Sequence, residues 1–346
     1  HLHRFSTNRS FKFSRITFFD KFLTGSNNSQ YDSCGILDVP SPPELLESRS
    51  PHVTKPQATR HPVRNERALR TRLLRWFETH GADHPWRRAC NPYAILVSEV
   101  MLQQTTVGAI RQNRRFERFL ATFPDLATLA AAPEDTLLKA WEGLGYYNRV
   151  RNLQKAAQVI LAKHDGVVPS DPDTLEALPG VGRYIAGAVA TFAYDLPVPI
   201  VDANIARVLA RLFDDPTPID STPGQKSLWA RAGDLVPQDS PRLFNSALME
   251  LGQTHCSASS PDCNACPIHD FCRSRQPGTL PVKKPKRPTV AVIEHVLFCR
   301  KPDGSILLSQ ESGSRRKGLW KLPERSPETV ADLPLLATRK YAITHH

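Results

Sequence analysis

The sequence is short of acid. Against 45 Lys and Arg its 346 residues set only 34 Asp and Glu, a formal charge of +11. Such a surface excludes a predominantly acidic, self-repelling chain and favours a polyanionic partner such as nucleic acid. Long apolar runs are missing too. No stretch approaches the roughly 18 to 20 residues that a spanning helix needs, which excludes a transmembrane helix. Cysteine is scarce, with seven residues in all, and four of them crowd into seventeen positions, too close together to staple a large domain with disulfides. What is present is enough chain, at 40% hydrophobic and 23% charged residues, for a sizeable core and two domains.

The chain begins at His1 rather than Met. Residues 1 to 31 are rich in Ser, Asn, Phe and Arg, with Asp20 as their only acid. That composition can be read as a transit peptide, but the stretch has no helical apolar stripe, and a disordered tail is the preferred reading. Prolines 40, 42, 43, 51, 56 and 62 make residues 38 to 62 a linker. From Glu66 the pattern turns amphipathic. In "ERALRTRLLRWFETHG" the residues Leu69, Leu73, Leu74, Trp76 and Phe77 can share a face, with Gly81 behind them. The periodicity then predicts helices over 92–105, 107–121, 134–142, 148–164, 173–178, 183–194, 203–213, 225–235 and 241–252. No strand alternation interrupts them, so residues 63–278 are expected to form an all-α domain.

The cysteine cluster follows these helices. Cys256, Cys263, Cys266 and Cys272 are separated by six, two and five residues. A metal site is preferred to disulfides. Structural zinc sites pair two CxxC knuckles, whereas only Cys263 and Cys266 form one here, so the spacing leans toward a four-thiolate iron-sulfur cluster. Cys34, Cys90 and Cys299 stand alone and read as free thiols.

Three further stretches carry chemistry. In "LPGVGRYIAGAVATFAY", residues 178 to 194, Gly180 and Gly182 bracket a turn that opens an apolar helix. This is either an ordinary helix-helix turn or a place where exposed backbone amides meet a phosphate. A dinucleotide-binding loop is disfavoured because helix, not strand, precedes it. In "VPIVDANIARVLARLF" Asp202 stands where an N-cap belongs, and capping and catalysis are compatible. In "NPYAILVSEVMLQQTTV" the carboxylate Glu99 lies in an apolar helix started by Asn91 and Pro92. Periodicity alone puts it on an exposed face; the alternative is a buried acid with a raised pKa.

Taken together, the four-cysteine spacing, the Gly-Val-Gly-Arg hairpin and the string SEVMLQQT resemble the helix-hairpin-helix, iron-sulfur DNA glycosylases, and within them the MutY-type adenine glycosylases. The resemblance spans roughly residues 66 to 278. It implies a mainly α glycosylase fold with a 4Fe-4S loop over residues 256–272, duplex DNA as partner, a monomeric state, and release of adenine mispaired with 8-oxoguanine or guanine. Glu99 and Asp202 are implied as the catalytic carboxylates, with Tyr184 and Asn204 supporting the intermediate and positioning Asp202. Endonuclease III-type enzymes carry a nucleophilic lysine where Tyr184 stands, so Schiff-base strand cleavage is not expected. "WEGLGYYNRVRNL", residues 141 to 153, also matches, with Tyr146 probing the lesion-bearing base. Gln104, with Leu102 nearby, is the candidate wedge; on pattern alone these two read as helix surface and core. The arginines of "RQNRRFERF", residues 111 to 119, read mostly as a solvated face. The rivals are a glycosylase for another base and a redox-sensing DNA-binding module. The resemblance implies a compartment holding DNA: the bacterial cytoplasm, or a mitochondrion or nucleus in a eukaryote.

The rest reads as a basic, proline-stiffened linker over 279–288 and then a β-containing piece over 289–346, a hairpin around Pro302-Asp303-Gly304. With "GLWKLPE" at 318 to 324 it resembles the Nudix-like lesion-recognition domain of MutY-type proteins, without a Nudix box, and Thr344 and His345 resemble its lesion-reading loop. Only 58 residues long, it is expected to fold poorly and to recognise 8-oxoguanine weakly.

Overall fold

The structure is a computed structural model that describes residues 65–89, 91–285, 294–312, 318 and 320–338. The expected tail and linker over 1–62, Cys34, Cys90, Thr344 and His345 lie outside the described residues. The chain divides after Pro285 into two compact units, each described by itself.

The described part of the first unit is helical. Its elements are α1 (Glu66–His80), α2 (Pro85–Arg88), α3 (Pro92–Leu102), α4 (Val107–Gln112), α5 (Arg115–Thr122), α6 (Leu126–Ala131), α7 (Glu134–Ala140), α8 (Asn148–Lys163), α9 (Pro172–Glu176), α10 (Arg183–Tyr194), α11 (Ala203–Leu212), α12 (Thr222–Leu235) and α13 (Pro241–Thr254). Capping chemistry starts many of them. Asn65, Asn91, Thr106, Asp125, Asp171, Asp202 and Ser221 each accept a backbone N–H of the first helical turn, which satisfies amides that no carbonyl can reach.

Two apolar cores lie side by side in this unit. The first gathers α3, α5, α8 and the near side of α10 around Leu96, Phe119, Trp141 and Ile185. The second gathers α1, α11, α12 and α13 around Leu73, Leu209, Phe244 and Leu248. In α1, Leu69, Leu73 and Phe77 recur every four residues and are all buried, each worth roughly 1.5–3 kcal/mol of transfer free energy. The helix α10 belongs to both cores. Ile185 and Val189 face the first, Ala188 the second, and Tyr184 and Phe192 touch both, which is why "IAGAVAT" has no polar stripe.

Several sequence expectations need correction. The stretch 107–121 is two helices, because Arg114 takes a left-handed conformation (φ 48°). The break re-aims the chain: Ile110 and Phe116, both buried, are six residues apart and cannot share one helical face. The helix expected over 92–105 ends at Leu102, and Gln104 is left-handed (φ 52°); it therefore sits on a loop and not on a helix surface. The helix expected from 225 begins at Thr222, capped by Ser221 with Pro223 in its first turn. The helices α2 and α6 escaped notice because four and six residues are too short to show a period.

In the second unit the turn at Pro302-Asp303-Gly304 is present, with Gly304 at φ 87° and Asp303 Oδ1 accepting the Ser305 N–H at 2.9 Å. The expected strands around it shrink to one bridge, Arg300 with Ile306. Regular antiparallel pairing joins β1 (Ser309–Gln310) to β2 (Trp320–Lys321), and a single helical turn, α14 (Pro327–Val330), follows. Trp320, Leu335 and Leu336 are 58%, 83% and 70% exposed, so the described residues here do not enclose a core.

Candidate active site

Glu99 lies in the last turn of α3, a helix buried from Tyr93 to Met101. At 4% exposure it is inside, against what periodicity alone indicates. The helix is apolar all round, so a carboxylate on it has no wet face to occupy. Its partner is the Tyr184 hydroxyl, which donates to Glu99 Oε2 at 2.9 Å. Burial pushes the Glu99 carboxyl up to about 7; the Tyr184 hydrogen bond works against this, the Asp202 charge adds to it, and the Arg87 charge opposes it. Burial also holds the Tyr184 hydroxyl well above its ordinary value, reinforced by the charges of Glu99 and Asp202, so this group remains a donor.

Asp202 caps α11. Its Oδ1 accepts the Ile205 N–H at 2.7 Å, and its Oδ2 accepts the Asn204 Nδ2–H at 2.8 Å. Burial raises its pKa, but hydrogen bonds from Ile205 and Asn204 and the charge of Arg207 pull toward the anion. Burial therefore raises both carboxyls: Glu99 reaches about 7 and is suited to holding a proton near neutral pH, while the donors on Asp202 offset part of its rise and favour its charged form.

Four residues here were missed from sequence. Arg87 Nη2 pairs with Glu250 Oε2 at 2.6 Å, both largely buried at 15% and 5% side-chain exposure, and the Arg87 charge reaches Glu99. Glu250 was legible by the reasoning applied to Glu99, being a lone acid in the apolar "LFNSALMELG". Arg207 and Arg211, four apart on α11, are the others. Arg207 donates to Asn204 Oδ1 at 2.9 Å, to the Gly252 carbonyl at 2.7 Å and to the Cys256 carbonyl at 2.7 Å. An unbroken hydrogen-bond path therefore runs from Asp202 through Asn204 and Arg207 to the first cysteine. Gly252 permits it: a Cβ there would lie 2.7 Å from Asn204 Cβ.

The four cysteines gather beyond this path. Cys256, Cys266 and Cys272 pack on the second core. Arg211, 1% exposed, donates to Cys256 Sγ at 3.3 Å and to the carbonyls of Ser257, Ala258 and Leu280 at 2.7, 3.2 and 2.9 Å. Burial and the neighbouring Cys256, Cys272 and Cys263 push the Cys266 thiol up to about 12. Among the described residues no group of three or more His, Cys, Asp or Glu is arranged to hold a metal ion. Four cysteines close enough to feel one another's charge, beside a buried arginine, are a donor set that fits a four-cysteine iron-sulfur cluster.

At the hairpin, Gly180 is left-handed (φ 75°), and a Cβ there would lie 2.6 Å from Asn152 Cβ, so only glycine lets the turn seat on α8. Gly182 precedes α10 without a side-chain cap. Leu102 is half-buried against the first core, whereas Gln104 and Tyr146 are exposed, both on left-handed backbone. Of the basic stretch, Arg114 pairs with Glu117 and Arg115 donates to the Glu142 carbonyl.

Residues 97–229 match the family of HhH-GPD superfamily base excision DNA repair proteins. The adenine DNA glycosylase of Mycolicibacterium smegmatis is 42% identical over 207 residues, covering 60% of this chain and 69% of that protein. That of Rattus norvegicus is 41% identical over 221 residues, 60% of this chain and 42% of that protein; the chain thus spans about two fifths of the length of such mammalian relatives. A solved thermostable thymine-DNA glycosylase matches at 29% identity and a TM-score of 0.56, covering 60% of this chain and 95% of that one. With a matching repair superfamily over residues 97–229 and a bacterial relative 42% identical and covered over more than two thirds of its length, the chain belongs to the adenine DNA glycosylase family of the helix-hairpin-helix base excision repair proteins.

Proposed function

We propose that this protein hydrolyses the N-glycosidic bond of adenine mispaired with 8-oxoguanine or guanine in duplex DNA, without Schiff-base lyase chemistry. The observation that supports this reading is the pair of carboxyls, a buried Glu99 held at about 7 beside Tyr184 and an Asp202 that caps α11 and accepts from Ile205 and Asn204. Adenine leaves poorly unless protonated. Glu99 gives its proton to adenine N7, and as the C1′–N9 bond breaks its electron pair departs with the base. Ionised Asp202, steadied by Asn204, stabilises the deoxyribosyl cation or takes it as an ester. Glu99, now a carboxylate, accepts a proton from the water whose oxygen bonds C1′. Tyr184 holds Glu99 and, in place of an amine, offers no Schiff base.

The adenine must first leave the stack, at a few kcal/mol. Leu102 and Gln104 serve as the wedge, Tyr146 probes the lesion-bearing base, and the Gly180–Gly182 hairpin takes a backbone phosphate at the start of α10. Residues 289–346 form part of a Nudix-like lesion-recognition module. Cys256, Cys263, Cys266 and Cys272 hold a 4Fe-4S cluster, which supplies structure and possesses no role in bond cleavage.

The test is single-turnover release of adenine from duplexes with A opposite 8-oxoguanine, guanine and thymine, scored for strand breaks with and without alkali. Breaks only after alkali, and only for the first two, are expected. Release from the A:T duplex at equal rate, or breaks without alkali, would overturn the reading.

A further inference from the structure

The loop after α3 and the loop before α8 meet at one side chain. Arg149, in the first turn of α8, points its Nη1 at the carbonyls of Val100 (3.2 Å), Met101 (3.1 Å) and Gln103. Its Nη2 reaches Thr105 Oγ1 (3.2 Å) and the carbonyls of Leu144 (2.9 Å) and Gly145 (3.2 Å). The guanidinium also lies 5.4 Å from the centre of the Trp141 ring and 5.7 Å from that of Tyr146. Six oxygens share its four terminal hydrogens, with Nη1 on the end of α3 and its loop and Nη2 bridging that loop to the one before α8.

We propose that Arg149 is a positioning residue that locks the Gln104 loop and the Tyr146 loop into one unit, so that insertion of one side chain into the duplex seats the other. This rests on the reading above that Gln104 and Tyr146 engage DNA. Both residues are left-handed and non-glycine, at φ 52° and 46°, a strained conformation that persists only when its surroundings enforce it. Arg149 is the group those surroundings share. It takes the Gln103 carbonyl on one side of Gln104 and the Thr105 hydroxyl on the other, and it takes the Gly145 carbonyl beside Tyr146 while lying against the tyrosine ring. It also ties off the carbonyls that end α3, one residue beyond Glu99, so the wedge, the base probe and the acid share one support. Lysine cannot replace it, because one ammonium with three hydrogens cannot reach all six oxygens that the two guanidinium nitrogens hold between the loops.

The experiment is a double-mutant cycle on the full chain with an A:8-oxoguanine duplex, reading single-turnover adenine release and duplex affinity. Gln104→Ala, Tyr146→Ala and the pair are made with Arg149 and with Arg149→Lys, which keeps the charge; melting temperature and circular dichroism confirm folding. With Arg149 in place, the double variant is expected to lose no more than about threefold beyond the worse single variant, the signature of coupled sites. With Arg149→Lys the two losses are expected to multiply. Equal coupling in both backgrounds would overturn the role of Arg149 while leaving the DNA contacts standing. If neither Gln104→Ala nor Tyr146→Ala changes rate or affinity, the DNA-contact reading itself fails, and the coupling falls with it.

Discussion

A carboxyl whose pKa is about 7 in the fold and near 4.5 outside it favours folding only while protonated. That contribution is complete below about 4.5 and is lost as pH rises through 7. Glu99→Gln should therefore gain stability on the parent across that window, up to roughly 3 kcal/mol by pH 8, while adenine release falls by about 10²-fold or more. Denaturant unfolding at pH 5 and pH 8 checks this: an equal difference at both would mean the carboxyl is not held near 7. Tyr184→Phe removes a hydrogen bond that favours the Glu99 anion, so the alkaline limb of the pH–rate profile should move to higher pH. A limb that stays still or moves acid would show that Tyr184 does not set it. Periodicity alone made neither of these two residues legible in position; the resemblance implied both. Glu99 hides because α3 is buried on every side and its hydrophobic pattern has no polar face to contrast with. Tyr184 precedes the buried run of α10, and nothing in its neighbours announces the hydroxyl's partner 85 positions away. Asp202 was legible, since a capping aspartate before a periodic helix is a local signal.

Among the elements, α11 does the most connecting. Its first cap is Asp202, its middle holds Arg207, and its last turn drives Arg211 into the cysteine loop. Arg211→Met should leave the carbonyls of Ser257, Ala258 and Leu280 without that donor, a loss of roughly 1–3 kcal/mol. Thermal unfolding and the visible absorption of the same purified sample measure it, and an unchanged melting temperature with full absorption would count against the role given to Arg211. The cysteine spacing was readable from sequence, but this anchor was not, because an arginine at 1% exposure defies the expectation that such residues face water. Helix α5 shows the opposite failure. Its existence was readable and its separation from α4 was not, since the turn at Arg114 carries neither Gly nor Pro and is dictated by where Phe116 and Phe119 must go.

At the scale of the whole molecule, the +11 charge makes duplex affinity a matter of salt. If six to ten phosphates are neutralised, binding should weaken by about 10³-fold or more between roughly 50 and 200 mM salt, which filter binding or anisotropy would follow; a flat dependence would leave the charge without its partner. Limited trypsin should spare the helical unit through Pro285 and remove residues 294–338, whose apolar side chains are largely exposed; a persistent fragment from that region would refute this. The all-helical first unit was legible because its amphipathic periods are long and capped. In the second, the turn at Gly304 was a strong local signal, whereas strand pairing depends on partners distant in sequence, and it shifted to 309–310 and 320–321. One consequence follows from where the two acids sit on their helices. Asp202 stands at the N-terminal pole of α11 and Glu99 in the final turn of α3, so aligned peptide dipoles present positive potential to the first and negative potential to the second. The backbone itself favours the anion at one position and the protonated acid at the other before any side chain contributes, and exchanging the two residues as Glu99→Asp with Asp202→Glu would not exchange their roles.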